Sequence, residues 1–132
     1  MTEPAFDAQT ALRVLTAVLG QAGGGETVIG QLGALPGADF RPGAAGGFLR
    51  RSEPSRLTLG DHAFSAPGKA GTQLQVSHVV RGVALQTKML GPTEAARTLV
   101  EGLQQLIAAG TAETAEAIEA SLYGLAVAAG LT

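Results

Sequence analysis

Between Arg56 and Met89, apolar and polar residues alternate with a period of two, which confines the middle of the chain to half-buried strands. Arg56-Leu57-Thr58-Leu59, then Gly60-Asp61, then His62-Ala63-Phe64-Ser65 reads as a tight hairpin. Glycine at the first turn position suits a two-residue II′ turn. Pairing Leu59 with His62 puts Leu57, Leu59, His62 and Phe64 on one face and Thr58, Ala63 and Ser65 on the other. After a turn at Pro67–Gly71, Leu74, Val76, His78 and Val80 alternate with Gln73, Gln75, Ser77 and Val79. Past Arg81-Gly82 the parity shifts by one, so Val83, Leu85, Thr87 and Met89 continue the apolar series. A two-residue turn at Arg81-Gly82 explains the shift, and so does a bulge at Gly82 within one long strand. Either way the result is an antiparallel sheet covered on one side.

Helical periodicity brackets this sheet. From Pro4 to Leu19, Ala11, Val14, Leu15 and Val18 recur at helical spacing, and Gly23-Gly24-Gly25 stops them. Glu26 to Leu35 predicts a short, weak helix, because Gly30 and Gly33 each cost about 1 kcal/mol relative to alanine. Pro36 to Pro54 carries three prolines and four glycines and is expected to be loop. Gly91-Pro92-Thr93-Glu94 starts a helix with core positions Ala96, Leu99, Leu103 and Leu106, and Val100 and Ile107 beside them. Gly110 ends it, and Thr111 opens the last helix, where Ala115, Ile118, Leu122, Leu125 and Ala129 step by three and four. The expected fold is α+β: a four-stranded antiparallel meander, an N-terminal helix, and a C-terminal helical hairpin covering one face. Residues 1–132 form one domain, with 36–54 as a Gly/Pro-rich loop.

Composition restricts function. Charged residues make up 15% against the usual quarter or so, while 45% are hydrophobic, so the chain is short of solvating surface. A net charge of −2 steers nothing toward nucleic acid, and the absence of cysteine excludes disulfides and thiolate metal sites. The acidic N-terminus lacks a signal-peptide pattern. The charge-free stretch Ala120–Thr132 falls short of the roughly 20 residues of a membrane span. A cytoplasmic location is expected.

No catalytic motif emerges. His62 and His78 are the only histidines, and both project onto the apolar face. They read as a buried polar pair that binds a ligand, or as hydrogen-bonded core histidines. With only Asp61 nearby they make a poor metal set. Ser65 or Ser77 with His78 and Asp61 lacks the local context of a catalytic triad. Glu113, Glu116 and Glu119 suit a helix N-terminus. The glycine run 23–25 has valine where a dinucleotide fingerprint needs its third glycine. The pair between Gly30 and Gly33, Gln31-Leu32, is not basic as in a nucleic-acid-binding GXXG loop. Arg41, Arg50, Arg51 and Arg56 read as a solvated basic loop.

The last helix carries the functional expectation. Ala120, Gly124 and Ala128 form a small-residue ridge, and Tyr123 and Val127 lie off the core seam. A helix apolar on more than one side needs cover on more than one side. The chain is therefore expected to be a non-enzymatic, oligomerising accessory or scaffold protein. Its contact would be made by Ala120, Tyr123, Gly124, Val127, Ala128 and Leu131 with another copy or a partner protein. No catalytic residue, metal or cofactor is assigned. The alternative is a small-molecule or lipid-binding module with an apolar pocket over Leu57, His62, Phe64, Leu74, His78, Leu85 and Met89. An enzyme built on His62 and His78 ranks behind both.

Overall fold

The structure is a computed structural model that describes residues 7–41, 55–66 and 73–130. Helix α1 (Ala8–Leu19) starts after Asp7, whose backbone is extended and whose carboxylate accepts from the Gln9 N–H at 3.0 Å and the Thr10 hydroxyl at 2.6 Å. Its buried stripe is Ala11, Val14, Leu15, Val18 and Leu19, as the periodicity requires. The triple glycine then does more than stop a helix. Gly23 adopts φ +74°, and Gly24 and Gly25 become the buried first turn of α2 (Gly24–Leu32). A methyl group at Gly24 would collide with the Val18 carbonyl, and one at Gly25 would press on Leu74 and Ala66. Thus α2 starts two residues earlier than expected. Burial of Val28, Ile29 and Leu32 stabilises it despite poor propensity.

The sheet is an antiparallel meander of five strands, not four, in the order β1 (Asp39–Arg41), β2 (Arg56–Leu59), β3 (His62–Ser65), β4 (Leu74–Val80) and β5 (Val83–Leu90). The added strand β1 arises inside the segment expected to be loop. Three residues carry no periodicity, but Phe40 sits opposite Leu57 and packs on Gly33, which anchors the strand. The rest of the 36–54 segment, including Arg50 and Arg51, lies outside the described residues from 42 onward. Arg41 and Arg56 are cross-strand partners and exposed.

The β2–β3 register matches the expected one, with Leu59 opposite His62 and Gly60 at φ +59° in the turn. Leu57, Leu59 and Phe64 are fully buried. At Arg81-Gly82 the structure has the two-residue turn, with both residues at positive φ and Val80 opposite Val83, which is the I′ geometry.

A bulge occurs as well, but farther on. Val76 pairs with Lys88 and His78 with Leu85, so Ser77 faces both Gln86, at φ +52°, and Thr87. The bulge reverses the second half of β5. Lys88 and Leu90, rather than Thr87 and Met89, share the face of Val76 and Leu74. Thr87 instead meets Ser77, their hydroxyls 2.8 Å apart.

Helices α3 (Pro92–Ala109) and α4 (Ala112–Ala128) form the expected hairpin, with Ala96, Leu99, Leu103, Leu106, Ile118, Leu122 and Leu125 buried. They do not cover the sheet as a unit. α3 lies across β2 to β5 and α2 across β2 and β3, while α1 and α4 pack onto those helices as a further layer. Gly102 sets the closeness of α3 to the sheet, since a methyl there would strike Leu59.

Candidate functional site

The Gly60-Asp61 turn and strand β4 place the two histidines side by side. His62 pairs across the strands with His78, and their rings stack at 5.7 Å with 15° between planes. The Asp61 carboxylate serves both: Oδ1 lies 2.9 Å from His62 Nδ1 and Oδ2 lies 3.2 Å from His78 Nε2. Glu101 on α3 reaches His62 Nε2 at 3.8 Å. Alignment is poor at the first contact, and Asp61 Oδ1 and His62 Nδ1 are buried with no full hydrogen bond. The His62 side chain is 18% exposed and that of His78 is 52% exposed, so one ring is a wall and the other faces solvent.

Gln105 ties this turn to α3. Its Oε1 accepts from the Asp61 N–H at 2.9 Å. Hydrogen bonding from the Gln105 side chain is also the main cause that holds the Asp61 carboxyl below its ordinary value of 3.8; the two histidines add to it, against desolvation. A depressed folded-state value stabilises the fold above the ordinary value, and that contribution is lost as pH falls through the folded one. Asp61→Asn should therefore flatten the acid side of the stability curve below about pH 4. With the carboxylate 44% exposed, the difference at neutral pH should stay under about 1 kcal/mol. Urea melts between pH 2.5 and 7 measure it; parallel curves would show that Asp61 contributes nothing.

The histidines line a groove of about 400 Å³ between the β4–β5 ribbon and α3, with Val76, Lys88, Glu94, Arg97 and Thr98. Its charges are mixed, and it contains no nucleophile beside a base: the Thr98 hydroxyl donates to the Glu94 carbonyl, and Ser77 is on the opposite face. Among the described residues no group of three or more histidine, aspartate or glutamate side chains is arranged to hold a metal ion. A second cleft of about 590 Å³ lies where Gly37, Asp39 and Thr58 face Gln105, Leu106 and Thr111.

The residues expected to form an apolar pocket are split. Leu57, Phe64 and Leu74 are sealed in the core and line neither cleft. Leu85 is exposed beside His78, and Met89, turned by the bulge, faces away from the helices. The sequence shows Asp61 only as a neighbour of His62, and no pattern in it marks Glu101 or Gln105. Helical stripes report core positions, and these two are on the exposed side of α3.

On α4, Ile118, Leu122, Leu125 and Ala126 are buried. The expected contact face is external: Ala120, Tyr123, Val127 and Ala128 are exposed. Gly124 is half-buried, with Gln31 of α2 against it, and Leu131 lies outside the described residues. Six large hydrophobic residues are exposed among the described residues. Tyr123 and Val127 are on α4, and Val80, Val83, Leu85 and Met89 are on the β4–β5 ribbon.

The class is thus an α+β domain in which a helix-covered antiparallel meander leaves two apolar surfaces open. The chain belongs to the family described as a domain of unknown function (DUF5073), which matches residues 2–127. Comparison with curated proteins and with solved structures gave no match. Among the described residues no helix is long and apolar enough to cross a membrane.

Proposed function

We propose that the protein is a non-enzymatic accessory or scaffold subunit of the cytoplasm that associates with copies of itself through the outer face of α4. The observation that carries this reading is the pair Tyr123 and Val127, 66% and 49% exposed in a stretch without charge from Ala120 to Thr132. Solvent-facing helical surfaces ordinarily carry charge. Here Ala120 and Ala128 flank the two large side chains on the same face, a ridge low enough for a second helix to approach closely. A second copy supplies an identical uncharged face, so no charge is desolvated at the contact.

Tyr123→Glu with Val127→Glu tests this better than a change at Gly124, which would also push on Gln31. Light scattering of the purified chain should show an oligomer, and the double variant should have half its mass or less with the helical circular dichroism signal kept. An unchanged mass ends the reading.

A further inference from the structure

The second apolar surface is a strand edge. β5 ends the strand order, and from Val83 to Met89 every residue is exposed. It is also the longest strand, eight residues against four in β2 and β3. Val79, opposite Ala84, donates its N–H to the Asp61 carbonyl at 2.7 Å on the β3 side. The Val79–Ala84 pair is therefore a non-hydrogen-bonded one, and the Ala84 N–H points out of the open edge.

A bulge and a lysine are common guards on such an edge. In β5 the bulge has a different geometric consequence because of its position. Gln86 and Thr87 are the two middle residues, with Val83–Leu85 before them and Lys88–Leu90 after. Val83, Leu85, Lys88 and Leu90 share the helix-covered face, while Ala84 and Met89 share the other. Cross-strand neighbours must lie on one face. When β5 is laid antiparallel on itself with its centre between Gln86 and Thr87, Val83 meets Leu90, Ala84 meets Met89, and Leu85 meets the Lys88 stem. Every pair then matches in face. Without the bulge this full-length register would pair opposite faces throughout.

Charge complements the register. Arg81 then stands across from Pro92 of the other copy, two residues from Glu94. Among the described residues the ion pairs all involve the two histidines, so Arg81 and Glu94 are unpaired within one chain.

We infer that β5 is a self-complementary edge, pairing antiparallel with β5 of a second copy into one continuous sheet, closed at each end by an Arg81–Glu94 ion pair. This goes beyond the α4 contact and does not rest on it.

Sedimentation equilibrium on the Tyr123→Glu, Val127→Glu chain isolates the second contact. A dimer should remain. Ala84→Pro removes the outward N–H and no hydrogen bond inside the monomer, and it should weaken that dimer roughly 100-fold. Should proline disturb the ribbon, the charges give a separate reading. Arg81→Glu should weaken the dimer about tenfold through its two ion pairs, and adding Glu94→Arg should restore most of the loss. A monomer in the α4 variant at millimolar concentration overturns the inference. So does a dimer indifferent to both Ala84→Pro and the charge swap. Binding of the ribbon to lipid vesicles in place of a second copy would also overturn it. Loss of mass in the α4 variant with a surviving, Ala84-sensitive dimer supports both contacts, and an unchanged mass with an Ala84-sensitive oligomer supports β5 alone.

Discussion

Phe64→Ala is expected to lower the unfolding free energy by about 3–5 kcal/mol, the usual cost of emptying an aromatic site in a closed core. Phe64 is fully buried between Leu57 on β2 and Val76 on β4, in the middle strand of the meander. Its ring also lies 6.3 Å from that of His62, so the cavity would open beside the Asp61 turn. A domain of this size is commonly stable by only 5–15 kcal/mol, so the variant should lose a large share of its stability. Urea unfolding followed by circular dichroism measures the effect. Phe64→Leu should cost no more than about 1.5 kcal/mol if packing volume is the cause. A loss under about 1 kcal/mol for alanine would show that the core does not close on this ring.

Glycine-to-alanine changes six residues apart in α2 should have opposite signs. Gly24→Ala sets a methyl group onto the Val18 carbonyl, a backbone atom with no rotamer to move it aside. Separation of α1 from α2 should cost about 3 kcal/mol, the upper end for an overpacked site. Gly30 is exposed in the same helix, with nothing within 4 Å of the added methyl. Gly30→Ala should therefore stabilise by about 1 kcal/mol, through helix propensity and a restricted unfolded state. The readout is the shift of urea midpoint for each variant at constant slope. Equal effects would mean that Gly24 serves as a flexible joint and not as a point of contact.

Much of the fold was legible wherever a pattern repeated several times. The stripes of α1, α3 and α4 named most of their buried residues, and the Gly60-Asp61 turn named the β2–β3 register, because each signal is set by local geometry. Legibility failed where one residue decided the outcome. The bulge at Gln86 needs a positive φ, which nothing in its side chain announces, and it moved Met89 and Thr87 to the other face. Strand β1 is too short to show a period, and the glycines of α2, which read as a weak helix, hid its start at Gly24.

The candidate site divides in the same way. The sequence placed His62 and His78 on one face, and it marked the uncharged run from Ala120 as surplus to one small core. Only the tertiary structure brought the Asp61 carboxylate within reach of both rings, set Gln105 on the Asp61 backbone and Glu101 near His62, and left β5 as an uncovered edge. The reason is one of range. Periodicity and turn chemistry act between residues a few positions apart, and they are written into the chain itself. Contacts such as Asp61 with Gln105, 44 positions apart, depend on how layers stack. Stacking is decided by the close approach of buried surfaces, at Gly24 on Val18 and Gly102 on Leu59, which no local pattern encodes.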